Sequence, residues 1–200
     1  MSRNRADWPP EKSAPAPGSA RAEIDRLQEE LLWAKCKISE LEERADVDPL
    51  LDIFNRRGFE RELKRSLAYV ARYGTEAALM YIDLDRFKAV NDLYGHAAGD
   101  VVLKGVAREL VSHVRASDVV ARLGGDEFAV VLWNAGEAQA VAKARELEKL
   151  IEQTSFAYGS AQFSVGASAG IVLLRPDQDS AQTLDAADRA MYARKKERRG

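Results

Sequence analysis

The stretch DVVARLGGDEFAVVLW at residues 118–133 decides the fold. Residues 118–123 and 128–133 are two extended runs rich in Val and other apolar residues, and GGDE at residues 124–127 separates them. Two such runs joined by a short segment that contains glycine predict a β-hairpin. The tip of this hairpin carries two adjacent carboxylates, which places acidic groups at one end of a sheet.

Helical and extended patterns alternate around the hairpin. Gly74 follows the first of the helical patterns as a stop signal. Helical spacing of apolar residues predicts helices at residues 59–72, 87–94, 100–114, 138–153 and 179–199. Apolar runs predict strands at residues 77–82 and 162–174. Segregated helices and a hairpin predict an α/β (α+β) domain with a mixed, mainly antiparallel sheet flanked by helices.

The N-terminal part has a different composition. Residues 1–20 contain four prolines among Ala, Ser and charged residues and are expected to be a disordered tail; a leftover cloning or processing segment is the alternative. Residues 21–46 carry an apolar seam with spacings of three and four, which favours a short coiled-coil dimerisation stalk over an amphipathic helix folded back on its own domain. The seam consists of Ile24, Leu27, Leu31, Ala34, Ile38, Leu41 and Ala45. Residues 47–200 are expected to form the globular domain.

Charge and cysteine content exclude several classes of function. Thirty basic and 32 acidic residues leave a formal charge of −2, which gives no basis for bulk electrostatic binding to nucleic acid or an anionic membrane. The single cysteine, Cys36, excludes an internal disulfide framework and fits a reducing compartment. No apolar run approaches the ~20 residues that span a bilayer. The N-terminus lacks a signal-peptide core, so we expect a cytoplasmic protein without a membrane span.

Acidic residues close two of the predicted strands. Asp83 and Asp85 end the strand that starts at residue 77, while Asp126 and Glu127 lie at the tip of the hairpin. An unpaired buried charge is costly, so burial does not explain these carboxylates. If the two strands are neighbours, Asp83 and Glu127 converge. Converging carboxylates suit Mg²⁺, which usually takes one or two of them together with phosphate oxygens of a substrate.

Each of these features also has a plainer interpretation. Gly124 and Gly125 allow a tight turn and a close approach to a phosphate-bearing ligand, but an isolated GGDE segment is also compatible with a solvated turn. Asp85 is expected to cap the helix that begins near Phe87, by accepting hydrogen bonds from its first backbone donors.

Several separated blocks resemble one family in order and spacing. They are RLGGDEF at residues 122–128, DLDRFK at 83–88, ND at 91–92, GHAAGD at 95–100, DPL at 48–50, NRR at 55–57 and YARK at 192–195. Together they resemble the GGDEF diguanylate cyclases over residues 46–199. Several blocks in register are far more specific than a single short motif.

The resemblance implies a fold, a reaction and a metal. The fold is the palm-like nucleotidyl cyclase fold, and the reaction condenses two GTP molecules into cyclic di-GMP with release of pyrophosphate. Mg²⁺, or alternatively Mn²⁺, would be held by Asp83, Glu127 and the carbonyl of Leu84. Asp126 would deprotonate or position the attacking 3′-hydroxyl of the ribose.

The resemblance also implies contacts with GTP. The guanine edge would be read by Asn91 and Asp100. The phosphates would be bound by Arg86, Phe87, Lys88, Gly124, Gly125, Lys195 and Arg199, among which Lys88 and Lys195 are assigned a catalytic role as charge neutralisers. Lys196 and Arg198 are interpreted as a solvated helix end that favours cations. His96 is assigned no chemistry.

A regulatory site and a partner follow from the same resemblance. Arg115 and Asp118, at a fixed offset before Gly124, resemble an inhibitory site for the cyclic di-GMP product; the alternative is a loop with a surface ion pair. Because the product contains two nucleotides, two domains must face each other, which implies a homodimer joined through the N-terminal helix. The input signal, including any regulatory protein, is not identified by the sequence.

One block departs from the family pattern. Members usually carry Thr-Gly-Leu where this chain has Leu51, Asp52 and Ile53, which puts the local conformation in doubt. Two rival functions remain: a catalytically silent module that binds GTP or cyclic di-GMP, and a coiled-coil adaptor whose globular part is only structural. The intact acidic residues favour the enzyme.

Overall fold

The computed structural model describes the backbone of residues 20–199 and the side chains of residues 23–35, 37 and 46–198. The chain divides into two units, Met1–Glu42 and Glu43–Gly200. The helices are α1 (Ala20–Ala45), α2 (Arg56–Tyr73), α3 (Phe87–Tyr94), α4 (His96–Ser112), α5 (Glu137–Gln153) and α6 (Ser180–Arg199). The strands are β1 (Ala77–Asp85), β2 (Val119–Gly124), β3 (Glu127–Trp133), β4 (Phe156–Tyr158), β5 (Ala161–Phe163) and β6 (Gly166–Leu173).

Helix α1 lies in the stretch for which the stalk is predicted, whereas residues 1–19 of the predicted tail lie outside the described residues. In α1, Ile24, Leu27 and Leu31 are each exposed by about half. Leu32 and Trp33 are exposed as well, so the apolar surface is broader than the predicted seam. Within residues 20–199, no helix combines the length and the apolar character needed to cross a bilayer.

The central sheet has four strands in the order β2-β3-β1-β6, and every neighbouring pair is antiparallel. The predicted α+β fold with a flanked antiparallel sheet is therefore confirmed. An isolated parallel β-bridge joins Phe54 to Ala121 and attaches the start of the globular domain to the edge strand β2. β4 and β5 form a separate two-stranded hairpin. The sequence predicted a single extended stretch at residues 162–174 and did not identify this hairpin. Three-residue strands are too short to show an alternating pattern.

Two apolar clusters hold the sheet between two layers of helices. On one face, α3, α4 and α5 pack on the sheet through residues such as Val102, Val106 and Leu147. On the other face, α2 and α6 pack on it through residues such as Phe59 and Met191. Alternate residues of β1 enter the two clusters, because successive side chains of a strand point to opposite faces. The central strand is therefore buried on both sides.

Capping residues set the limits of α2. Asn55 is its N-cap and accepts a hydrogen bond of 3.0 Å from the backbone N–H of Gly58. Gly74 ends the helix in the left-handed conformation with φ +66°, so the predicted stop is confirmed. The helix begins three residues earlier than predicted, since the polar first turn carries no apolar signal.

The loop at residues 51–53, where the sequence departs from the family pattern, is ordered by hydrogen bonds. Asp48 accepts hydrogen bonds from the backbone N–H groups of Leu50 and Leu51, at 2.9 and 3.1 Å. Asp52, at the position of the family's glycine, has φ +56°, a conformation that Asp tolerates better than most residues. Ile53 is buried in the core cluster of α3, α4 and α5.

Gly170 on β6 lets α6 approach the sheet closely. A Cβ atom at this position would collide with the backbone of Met191 and Ala187 in α6. Replacing Gly170→Ala should therefore lower the free energy of unfolding by about 3 kcal/mol, at the upper end of the range for overpacking. Urea denaturation measures the difference.

Gly159→Ala is the matched control. Gly159 has φ +58° but an added Cβ would meet no atom within 4 Å, so only the conformational cost of about 1 kcal/mol is expected. Equal losses in the two variants would contradict the close approach of α6.

Candidate active site

The acidic residues of β1 and β3 face each other. In the antiparallel pairing of these strands, Asp83 is the direct partner of Glu127. Directly opposed residues project to the same face, with Cβ atoms ~5 Å apart. The carboxylates predicted to converge are thus on one end of the sheet, on the face covered by α2 and α6.

The tip of the hairpin is attached to the end of β1. The backbone N–H of Leu84 donates a 3.2 Å hydrogen bond to the carbonyl of Asp126. In an antiparallel ladder the N–H and C=O of one residue point to the same side. The carbonyl of Leu84 therefore points toward the hairpin, next to the predicted carboxylate ligands.

Lys195 of α6 brings a positive charge to these acids. Its Nζ contacts Oδ1 of Asp83 and lies 4.0 Å from Oδ1 of Asp85. Burial, and next the negative charge of Asp83, raise the pKa of the Asp126 carboxyl above its ordinary value, against opposing effects that include Lys195. The carboxyl group of Asp126 therefore holds a proton more readily than an exposed aspartate does.

Two residues that were given no role from the sequence interact electrostatically with Glu127. Arg56 of α2 lies 3.8 Å from Oε2 of Glu127, and its Nε donates a 3.0 Å hydrogen bond to the carbonyl of Leu123. Burial, and next the negative charge of Glu127, raise the pKa of the Tyr81 hydroxyl above its ordinary value. Tyr81 could have been found from strand alternation, since it lies two residues before Asp83.

Arg122 was quoted in the hairpin motif but given no role, and it fixes the turn. Its Nε and one terminal nitrogen donate hydrogen bonds of 3.0 and 2.8 Å to the carbonyl of Gly125. The other terminal nitrogen lies 3.1 Å from Oδ2 of Asp48. Gly125 has φ +48°, which glycine adopts without strain. A cleft of about 480 Å³ lies beside this turn, lined by Arg56, Arg57, Arg122, Gly124 and others.

The segment after β1 has an unusual backbone. Arg86 has φ +64°, rare for a residue with a side chain, and it precedes α3 directly. Such strained positions cluster at functional sites. Phe87 is buried, so only its backbone is available to a ligand, whereas Lys88 is exposed.

The prediction that Asp85 caps α3 is wrong. Arg86 occupies the N-cap position and no side chain caps this helix. Oδ2 of Asp85 instead accepts a 3.0 Å hydrogen bond from the hydroxyl of Ser168 on β6. The left-handed turn at Arg86 redirects the chain, so that Asp85 remains part of the strand and faces α6.

The residues predicted to read guanine lie together at the α3–α4 corner. Oδ1 of Asn91 is buried and has no hydrogen-bond partner. An added Cβ on Gly99 would collide with it, so the helices touch at this point. Asp100 follows Gly99 and is exposed. A buried acceptor without a partner is costly unless a ligand satisfies it.

The end of α6 differs in part from the prediction. Lys196 is exposed, as expected for a solvated helix end. Its Nζ lies 4.6 Å from the ring centre of Tyr192. Arg198 is exposed as a residue, but its side chain is only 24% exposed and contacts Asp85 and Glu148, because β1 and α5 bring acidic groups to this turn. The side chain of Arg199 lies outside the described residues.

Arg115 and Asp118 lie on the loop between α4 and β2. Asp118 accepts hydrogen bonds from the backbone N–H groups of Arg115 and Trp133, at 2.9 and 3.0 Å. The carboxylate therefore shapes its own loop, while Arg115 is exposed. Both residues line a cleft of about 270 Å³ with apolar walls that include Val111 and Val114.

The donor set at the end of β1 and β3 fits a hard divalent cation. Two opposed carboxylates and a backbone carbonyl are oxygen ligands, which a hard cation such as Mg²⁺ prefers. Among the described residues, no group of three or more His, Cys, Asp or Glu side chains could hold a metal unaided.

The comparisons with known proteins agree with this geometry. The family model described as "Diguanylate cyclase, GGDEF domain" matches residues 45–200. The chain is 40% identical, over 82% of its length, to the probable diguanylate cyclase DgcE of Escherichia coli. It spans 15% of that protein's length and 41% of the length of the diguanylate cyclase TpbB of Pseudomonas aeruginosa.

One similar solved structure contains a coiled coil in addition to a GGDEF domain. The coiled coil and GGDEF domain of DgcB from Caulobacter crescentus, in complex with c-di-GMP, matches with a TM-score of 0.75 and 25% identity. The match covers 90% of this chain and 95% of that one. The family model covers well over half of the chain, and the chain therefore belongs to the GGDEF-domain family of diguanylate cyclases.

Proposed function

We propose that this protein is a diguanylate cyclase that condenses two GTP molecules into cyclic di-GMP with release of pyrophosphate, with Mg²⁺ as cofactor. The observation that carries the proposal is the direct pairing of Asp83 with Glu127 beside the cation of Lys195. Attack on an α-phosphate with a pyrophosphate leaving group requires positioning and charge neutralisation, which such a site supplies.

Asp83, Glu127 and the carbonyl of Leu84 would hold the metal. When bound, Mg²⁺ supplies Lewis-acid polarisation of phosphoryl oxygens and activation of the attacking oxygen. Lys195, which contacts Asp83 in this structure, would bind the phosphates of GTP and neutralise their charge. Lys88, in the first turn of α3, adds a second cation, and the backbone of residues 86–88 with Gly124 and Gly125 surrounds the triphosphate.

Asp126 is proposed to accept the proton of the 3′-hydroxyl or to position this group. A carboxylate with a raised pKa is a stronger base, so the burial of Asp126 beside Asp83 favours proton transfer. Arg56 lies 3.8 Å from Oε2 of Glu127 and would help to orient this proposed metal ligand.

Guanine selection would come from the α3–α4 corner. Asn91 and Asp100 are proposed to pair with the edge of the base. Oδ1 of Asn91, buried without a partner, is available to accept from the N–H groups of guanine. Adenine would leave these groups unsatisfied, and the penalty for unpaired buried polar groups provides the discrimination.

The reaction also requires a second domain. One active site binds one GTP, whereas the product joins two, so two domains must face each other in antiparallel orientation. The exposed apolar residues of α1 support pairing of two helices as a parallel stalk. Such a stalk would raise the effective concentration of one active site near the other.

Arg115 and Asp118 are proposed to bind the product as an inhibitor. The exposed guanidinium of Arg115 can bind a phosphate or stack on guanine, and the adjacent cleft has apolar walls that suit a base. The c-di-GMP complex of DgcB supports product binding within this family. An unidentified regulatory protein as the source of the input signal stays a prediction.

Loss of the Glu127 carboxylate should abolish turnover. In Glu127→Gln, production of cyclic di-GMP from GTP and Mg²⁺ is expected to fall at least about 100-fold, since second-sphere changes alone cost up to that amount. Chromatography of the nucleotides after incubation measures it. The control is Glu137→Gln, an exposed glutamate at the start of α5; equal rates for the two variants would refute the assignment of the metal ligand.

Charges placed on the apolar seam of α1 should separate the dimer. The double variant Leu27→Glu and Leu31→Glu is expected to lose about tenfold or more of its specific activity at low protein concentration and to recover it as concentration rises. Initial rates over a dilution series, with sedimentation equilibrium, test this. Lys35→Gln, also exposed on α1, is the control, and a double variant that matches it in mass and rate would exclude the stalk.

Removal of the Arg115 guanidinium should relieve inhibition by the product. For Arg115→Ala, the cyclic di-GMP concentration that halves the rate is expected to rise at least about tenfold, as expected for one lost charge-assisted contact. The initial rate should stay within about twofold of the wild type. The control is Arg108→Ala, because Arg108 is an exposed arginine on the neighbouring helix α4. Unchanged inhibition in the Arg115 variant would remove this site from regulation.

A further inference from the structure

The last turn of α6 is held to the domain by charge and not by apolar packing. In this helix Ala187 and Met191 belong to the core, but no described residue after Met191 is buried. Helix ends without packing fray readily. Lys195 lies on this turn, so polar contacts of its neighbours must set its position.

Those contacts converge on a buried acid of α5. Glu148 is only 3% exposed, and it accepts a 2.9 Å hydrogen bond from the backbone N–H of Ala169 at the outer edge of β6. Arg194 donates to both of its oxygens, at 2.9 and 3.3 Å, and Arg198 lies 3.3 Å from Oε2. Arg194 and Arg198 are four residues apart and therefore share one face of α6. A buried carboxylate requires such partners.

The same arginine reaches the active site. Nε of Arg198 lies 3.9 Å from Oδ2 of Asp85, and the other oxygen of Asp85 is buried without a hydrogen-bond partner. That oxygen is 4.0 Å from Nζ of Lys195, which contacts Asp83. A continuous row of alternating charges thus runs from Glu148 to the proposed metal ligand.

We propose that Arg198, together with Arg194, is a positioning residue for Lys195. The two arginines hold the last turn of α6 against Glu148, and Arg198 balances the charge of Asp85. Lys195 is then free to leave Asp83 for the triphosphate of GTP. Without Arg198, the carboxylate of Asp85 keeps Lys195 as its nearest cation, and the phosphates lose a partner. This inference rests on the proposed function.

Kinetics of Arg198→Ala test the proposal on the full chain. The KM for GTP is expected to rise about tenfold with kcat within about threefold of the wild type, and the affinity for a non-hydrolysable GTP analogue should fall by the same factor. Arg198→Lys, which restores one positive charge, should recover part of the affinity. Lys196→Ala, on the same turn but beside Tyr192, should leave KM within twofold.

A double-mutant cycle separates positioning from stability. If Arg198 acts through Lys195, then Arg198→Ala should add little to the KM of Lys195→Ala, because the residue it positions is already gone. A merely structural role would lower the melting temperature of Arg198→Ala and leave KM unchanged. That result, or additive effects in the cycle, would overturn the inference.

The outcomes also distinguish this inference from the proposed function. A wild type that converts GTP while Arg198→Ala retains its KM refutes the positioning role alone. A wild type that binds the GTP analogue without turnover refutes the cyclase activity, and the analogue affinities of the variants still decide the role of Arg198. A wild type that neither binds nor converts GTP refutes both.

Discussion

The register between β1 and β3 is the constraint on which the site depends. Side chains alternate along a strand, so a slip of one residue would turn Asp83 and Glu127 to opposite faces. The register is fixed from both ends: the apolar partners from Ala77 to Ile82 bury both faces of β1, and the Leu84–Asp126 hydrogen bond closes the ladder beside the turn. Core packing far from the site therefore decides whether the carboxylates meet.

Charge balance is the second requirement. Asp83 and Glu127 are directly opposed, and like charges in this position destabilise a sheet. Lys195 of α6 and Arg56 of α2 reduce this cost, each through a contact with one of the two acids. A bound divalent cation would do the same, which makes exchange of Lys195 for metal and nucleotide feasible without rebuilding the sheet.

The two helices of one face thereby act as the supports of the site. α2 delivers Arg56 to the hairpin, and Arg122 fixes the turn by binding the carbonyl of Gly125. α6 delivers Lys195, and its closeness to the sheet depends on the absence of a side chain at Gly170. The chemistry lies at strand ends, but its geometry is set by how these helices pack.

The sequence by itself determined the α+β class, the hairpin, most helix positions and the acidic motif, because these are encoded in local periodicity and in residue types at fixed spacing. Tertiary structure decided what depends on neighbours distant in the chain. Asp85 was expected to cap α3 and instead binds Ser168, 83 residues away. Arg198 is exposed at the helix end as expected, but it also reaches Glu148, 50 residues away, which the sequence did not predict. Local patterns report which face of an element is apolar, but which charges meet at its end depends on the packing of other elements against it.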